Sequence, residues 1–426
     1  MMRTLNVWWD GRQVGQLTQD QHGELGFAYA STWLDDGQAQ PLSASLPKRT
    51  EPFSRKACRP FFGGLLPEES QRDAAALALG VSRANDFALL DRLGGDVAGA
   101  LQLLPPGDAP AVVAADQQPA PLDDVGLIGV LDALPARPLL AGEEGLRLSL
   151  AGAQSKVPVV LVGEAVALPA PGQPTTHILK PPISRFSATT ENEAFVMRLA
   201  AAVGLDVAPV EVRIVQDRTF LLVQRYDRAT ANDGRVRRIH QEDFCQALGV
   251  PPETKYASEG GPTLRDCFAL LRAVAARPAI EVLKLLDAVI FNVIAGNADA
   301  HGKNFSILYG DGGPSLAPLY DLLATVAYPD PSPRFAMKIG KGATLAELDA
   351  QDWAAFAAET GVGLPLIRRR IAEISKLVIV QSGAVAANLA RPGFDRGALE
   401  RLAVLTRERA EFCVLTATGK PQGGDQ

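Results

Sequence analysis

Cysteine and histidine are scarce in this 426-residue chain, with four of each. Cys58, Cys245, Cys267 and Cys413 show no CxxC spacing and no dense pairing. A zinc cluster or a disulfide framework is therefore unsupported, and the reading is reduced thiols in a cytoplasmic protein. Excess positive charge is also lacking. Lys plus Arg total 42 against 48 Asp plus Glu, a net charge of −6. That balance argues against a protein that coats nucleic acid by bulk charge. No uninterrupted apolar run reaches the ~18 residues of a membrane-spanning helix. The stretch Met1 to Gly11 has no apolar core behind a basic start, so no secretory signal is expected. The Walker A spacing and G-x-G-x-x-G are both absent, as is any internal repeat. What is present, 47% hydrophobic and 21% charged residues, is globular. The length suits two or three domains at ~100–200 residues each.

The first stretch reads as a meander of strands, Leu5–Trp9, Gln13–Leu17 and Leu25–Ala30, with Asp10-Gly11 as a hairpin turn. Helices are expected from Glu68 to Leu79, stopped by Gly80, and from Asn85 to Leu93, stopped by Gly94-Gly95. A Pro-, Ala-, Asp- and Gln-rich stretch without apolar period then marks a linker or exposed loop. Beyond it come strand-like runs at 146–150, 157–162, 177–180 and 220–223, with a helix from Glu191 to Val203 among them. From about Gln241 the pattern is mostly helical, and Glu281–Ala295 is apolar nearly all round, the mark of a buried helix. The expected division is a β-rich subdomain at 1–105, a linker at 106–125, a nucleotide-binding lobe at 126–226, a helical catalytic lobe at 227–418 and a frayed tail at 419–426.

Polar residues crowd the segment Gly296 to Ser306 between that buried helix and an apolar run. Asp299 and Asn304 stand five positions apart, the separation of base and metal-binding Asn in a kinase catalytic loop. Asp321 follows seventeen positions after Asn304, where such a site needs its main metal-binding carboxylate. Taken singly, each residue is equally a cap or turn residue. A second element, Ser149 through Lys156, is a small-residue loop between strand-like runs. It is either a lid whose backbone approaches phosphates or an ordinary hairpin turn. Lys180 closes the run His177–Lys180 before Pro181-Pro182, and Glu191 and Glu193 open the next helix. These are a phosphate-pairing Lys with orienting carboxylates, or a solvated Lys with carboxylates favoured by a helix dipole. Gln224-Arg225-Tyr226 leaves an apolar strand where the β-rich half yields to the helical half. That is a place for adenine, or simply a strand exit with an Arg–Asp surface pair.

Taken together, these residues resemble the HipA family of serine/threonine-protein kinase toxins of bacterial toxin–antitoxin systems. The likeness rests on Phe61 through Glu68, Gly94 through Leu101, Ser149 through Lys156, Thr176 through Lys180 and Glu191-Asn192-Glu193. It continues in Gln241-Glu242-Asp243, Lys255-Tyr256, Asp299 through Ser306 and Leu319-Tyr320-Asp321. The resemblance implies an α+β, two-lobed, protein-kinase-like fold with an additional N-terminal β-rich subdomain and a mostly helical C-terminal lobe. ATP with Mg²⁺ is expected between the lobes. By the same likeness Asp299 is the catalytic base, and Asn304 and Asp321 hold Mg²⁺. Ala151, Gly152, Ala153, Gln154, Ser155 and Lys156 form the lid, and Lys180 contacts phosphate. Gln224, Arg225 and Tyr226 line the adenine site, while His301, Lys303 and Tyr320 complete the nucleotide site. Ser149 matches the serine that relatives autophosphorylate, which displaces the lid and switches the kinase off. Three positions depart from the family pattern: Ala300 replaces a common Gly, Gln224 a common acidic residue, and Ser155 a charged one. The implied partners are a HipB-like helix-turn-helix antitoxin, which carries the DNA contact, and a protein substrate of translation such as an aminoacyl-tRNA synthetase. A small-molecule phosphotransferase on the same fold, or a catalytically silent co-repressor that binds an antitoxin, are the alternatives.

Overall fold

Asp10 and Gly11 both take positive φ, 50° and 75°, the combination that a two-residue hairpin turn needs to match strand twist. They join β1 (Arg3–Trp9) to β2 (Arg12–Gln19), which pairs onward with β3 (Leu25–Tyr29). With β4 (Phe53–Ser54) and β5 (Leu101–Leu104) these strands form a five-stranded sheet in the order β4-β3-β2-β1-β5. Leu5, Val7, Leu17 and Phe27 turn inward at strand period and are fully buried, covered by Phe61, Phe62, Leu89 and Leu90 from two helices, Arg55–Gly63 and Asp86–Leu93.

The computed structural model describes residues 2–111 and 118–419, which divide into two compact units. The first comprises Met1–Pro181, Arg213–Glu253 and Ser306–Asp311; the second comprises Pro182–Val212, Thr254–Phe305 and Gly312–Gln426. Most of the expected frayed tail, and the middle of the expected linker, lie outside the described residues.

Among the described residues of the first unit, two apolar cores stand out. One lies against the sheet just described. The other gathers Val157, Val159, Leu179, Phe220 and Leu222 on a second sheet, ordered β7-β6-β8-β10-β9. Its strands are β6 (Val157–Val162), β7 (Ala165–Ala167), β8 (His177–Lys180), β9 (Val210–Val215) and β10 (Arg218–Gln224). One expected strand is not formed. Leu146–Leu150 alternates as a strand should, yet only Leu148 makes a bridge, to Asp96. A ribbon of β11 (Arg228–Thr230) and β12 (Val236–Arg238) follows, and then β13 (His240–Asp243) pairs with β14 (Ser306–Gly310).

Glu242 on β13 is buried among hydrogen-bond donors. Ser43 Oγ and Tyr309 Oη both donate to it, and the Ala44 N–H does so at 2.9 Å. Burial outweighs those donors and pushes its carboxyl from 4.5 up to about 7. A carboxyl that holds its proton more tightly folded than unfolded stabilises fully below pH 4.5, and this is lost as pH rises through about 7. Glu242→Gln is therefore expected to flatten the decline of melting temperature across that window. A slope identical to wild type would refute the assignment.

The second unit is helical. Helix Pro278–Ala295 runs through its core, with Leu285, Leu286, Ile290, Phe291 and Ile294 fully buried. The antiparallel pair Leu364–Leu389 and Arg396–Thr418 packs against it and against helix Thr189–Ala202. No helix among the described residues is long and apolar enough to cross a membrane.

Candidate active site

The buried helix ends at Gly296, which adopts φ 78° as its left-handed C-cap. A side chain there would also collide with Val326, 2.4 Å from the site of a Cβ, so two constraints require glycine. The helix leaves unpaired carbonyls at this end. Arg409, from helix Arg396–Thr418, supplies donors: its Nε reaches Ile294 O at 3.1 Å and Nη2 reaches Val293 O at 2.7 Å. A cation at a helix C-terminus also opposes the dipole.

Beyond that cap the chain folds into a tight, internally bonded loop. Asn297 donates to Asn292 Oδ1 at 2.8 Å, and its own side-chain oxygen accepts from the Asp299 N–H at 3.2 Å. The N–H of His301 reaches Asp299 O at 2.8 Å, and that of Asn304 reaches His301 O at 2.9 Å. Asn304 Nδ2 closes the turn on Asp299 O at 3.1 Å. The amide oxygen of Asn304 thus faces away from that carbonyl. Tyr256 donates its phenol to Asp299 Oδ1 at 2.9 Å and lies edge-on to His301, with ring centroids 5.2 Å apart. His301 and Lys303 are buried.

Asp321 takes φ 58°, in the left-handed region that a β-carbon disfavours. Tyr320 beside it donates its phenol to Lys303 O at 2.7 Å. The second unit therefore ties the Asp321 segment to the Asp299 loop. Asp321 and Asn304 offer a carboxylate and an amide oxygen, hard donors of the kind Mg²⁺ takes alongside phosphate oxygens and water. No group of three or more His, Cys, Asp or Glu suited to a metal exists among the described residues. The donor set fits a metal completed by a phosphate ligand and not one held in an all-protein cage.

The first unit carries the other expected residues. Lys180 is the buried last residue of β8, paired in register with Leu221 on β10. The Ala151–Lys156 loop is closed on itself. Lys156 Nζ donates to Ala151 O, and Gly152 sits at φ 112°, open to glycine alone. The loop is tied down further: Glu68 N donates to Gly152 O at 3.1 Å, Ser155 Oγ to Gln71 at 3.2 Å and Gln154 to Pro181 O at 3.4 Å. Ser149 is fully buried, with its hydroxyl on Leu65 O at 2.7 Å and its N–H on Asp96 O at 2.9 Å.

At the end of β10, Gln224 is exposed and pairs in register with His177, while Tyr226 donates its phenol to Gln241. The Arg–Asp pair expected at the surface of this strand exit is formed but buried: Arg225 and Asp227 enter an ion cluster with residues remote in the chain. Arg225 bonds Asp227 through Nε at 2.9 Å and Nη2 at 2.7 Å, and Thr175 at 2.9 Å. Asp96 receives Arg225 at 3.4 Å, Arg228 at 3.0 Å and Arg238 at 2.8 Å. Burial pushes Asp96 up, but the guanidinium groups of Arg228, Arg238 and Arg225 outweigh it and hold the carboxyl well below its usual range. In the sequence, Asp96 and Tyr256 appear only as members of motifs with no role of their own and Arg238 is not singled out, because their partners are remote in the chain.

An α+β chain whose buried core helix delivers an Asp–Asn loop, answered by a second carboxylate, has the make-up of a protein-kinase-like fold. Comparison with known proteins agrees. The HipA-like C-terminal domain matches residues 148–382 and the HipA N-terminal domain matches residues 5–104. The chain belongs to the HipA family. A Sinorhizobium fredii protein bearing the kinase name Y4mE is 73% identical over 375 residues, spanning 88% of this chain and 89% of its own. The serine/threonine-protein kinase toxin HipA of Shewanella oneidensis is 32% identical over 375 residues, 85% of this chain and 84% of its own. In a solved complex of Shewanella oneidensis HipA, HipB and operator DNA, the matching chain superposes with a TM-score of 0.85 at 27% identity. That match covers 98% of this chain and 100% of the other.

Proposed function

We propose that this protein is an ATP- and Mg²⁺-dependent serine/threonine protein kinase, the toxin of a pair whose antitoxin is a HipB-like helix-turn-helix protein. The observation that carries the reading is the closed turn in which Asn304 Nδ2 holds the carbonyl of Asp299. That turn fixes a carboxylate and an amide on one short loop. In the proposed reaction the acceptor hydroxyl oxygen bonds the γ-phosphorus, the bond to the β,γ-bridging oxygen breaks, and ADP leaves. Asp299 takes the hydroxyl proton at its carboxylate. Asn304 and Asp321 would hold Mg²⁺, which when bound neutralises phosphate charge. Lys180 and the Ala151–Lys156 loop are assigned to phosphate, Gln224 to Tyr226 to adenine, and His301, Lys303 and Tyr320 to the rest of the nucleotide site.

Ser149 is the proposed autophosphorylation site. Its burial supports an inhibitory outcome: a phosphate of about −1.5 to −2 charge does not fit where the hydroxyl now bonds Leu65 O, so the loop would be expelled. The net charge of −6 supports a division of labour in which the antitoxin reads DNA. The target is proposed to be a cytoplasmic protein of translation.

The test is incubation of the full chain, with and without cell extract, with labelled ATP and Mg²⁺. Phosphate on Ser149 and on an extract protein is expected. Label confined to a metabolite would instead establish a small-molecule phosphotransferase, and no transfer at all would overturn both readings.

A further inference from the structure

Asp321 lies between two sets of hydrogen bonds, all within the second unit. Upstream, Leu319 N donates to Asp206 O at 2.8 Å and Leu319 O accepts from Ala208 N at 2.9 Å. Downstream, Asn192, which is buried in helix Thr189–Ala202, grips one residue from both sides. Its Oδ1 accepts from Ala324 N at 2.8 Å and its Nδ2 donates to Ala324 O at 3.2 Å, with Tyr328 Oη at 3.1 Å as a second acceptor. The next residue, Thr325, reaches the other loop. Its hydroxyl donates to Gly296 O at 3.1 Å and accepts from Ala298 N at 2.9 Å, while Val326 N reaches Gly296 O at 3.2 Å.

A single hydroxyl thus bridges Gly296 and Ala298 on the approach to Asp299, and it sits four positions after Asp321. Tyr320 makes the matching tie on the far side of that loop, at Lys303 O. Two ties on opposite flanks fix a separation; one tie would leave a pivot. A left-handed aspartate persists where its surroundings determine it from both sides.

We propose that Thr325 and Asn192 are positioning residues that set the distance and orientation of the Asp321 carboxylate relative to Asp299. Neither supplies a donor to nucleotide or metal. Thr325 acts through its two bonds to the Asp299 loop, and Asn192 holds Ala324 so that Thr325 is presented in register. This rests on the kinase reading, with Asp299 as base and Asp321 as metal ligand.

Thr325→Val keeps the shape and deletes both bonds, whereas Thr325→Ser keeps the hydroxyl. The experiment compares wild type, both variants and Asp321→Asn as full chains. The readouts are kcat, KM for ATP, melting temperature, and calorimetric ATP binding as a function of Mg²⁺ concentration. Thr325→Val is expected to lower kcat ~10²-fold, the cost of a misplacement near 1 Å, with KM for ATP unchanged. It should also raise the Mg²⁺ concentration needed for half-maximal ATP binding while remaining folded, and Thr325→Ser should restore both properties.

The proposal is overturned, with the kinase reading intact, if Asp321→Asn abolishes the Mg²⁺ dependence while Thr325→Val matches wild type. It is overturned equally if Thr325→Val loses activity only in step with its folded fraction and Thr325→Ser brings nothing back. Wild type that binds no ATP at any Mg²⁺ concentration would sink the kinase reading itself, and this proposal with it.

Discussion

Asp299→Asn is expected to cut phosphoryl transfer by ~10²–10⁴-fold, the usual contribution of a positioned general base. The substitution is nearly isosteric and keeps an oxygen to accept from Tyr256, which now donates to Oδ1 at 2.9 Å. The backbone bonds that shape the loop, from His301 N and Asn304 Nδ2 to Asp299 O, involve no side-chain atom of residue 299. Melting temperature should therefore stay close to that of wild type, and ATP binding should survive. The check is single-turnover transfer from labelled ATP alongside calorimetry. Activity within a few-fold of wild type would remove Asp299 from the role of base, since the effect of general-base loss is far larger.

The largest stability effect is expected at Asp96→Asn. Asp96 and Asp227 together balance Arg225, Arg228 and Arg238, and only Arg238 has more than a few per cent of its side chain exposed, at 11%. Removing one carboxylate leaves buried guanidinium groups facing a single anion. Breaking a buried pair from one side typically costs ~3–5 kcal/mol, a large share of the ~5–15 kcal/mol that holds a folded domain together. Asp96 also anchors the chain just ahead of the Ala151–Lys156 loop, since its backbone bonds Arg147 O and Ser149 N at 2.8 and 2.9 Å. Denaturant unfolding measures the loss. A midpoint and slope equal to wild type would mean that the cluster contributes nothing net.

The legible and the hidden parts of this protein separate by sequence distance. The Asp299–Asn304 turn follows directly from a helix whose apolar period is written in its own residues, and the hairpin at Asp10-Gly11 is a local backbone preference. The strand expected at Leu146–Leu150 shows where local pattern misleads. Its alternation is real, but the backbone it meets is that of Asp96, so one bridge forms where a ladder was expected. Arg225 is the same lesson in a side chain. A position assigned to the adenine site by its place at a strand exit also bonds Asp96, 129 residues away. Such a pairing leaves no trace in spacing. Thr325 was equally invisible, because a threonine in a turn is common and its two partners are carried by the Asp299 loop.

Arg409 has a consequence in the order of synthesis. The carbonyl it caps, Ile294 O, lies 115 residues earlier in the chain, and chains emerge from the ribosome in sequence order. The side-chain cap on the helix that leads to Asp299 can therefore form only after residue 409 has been made. A polypeptide that stops short of residue 409 carries every residue of the Asp299 loop without the cation that bonds the helix end before it. For a member of a toxin family, this ties the entry to the loop to a residue made 115 positions after the helix end.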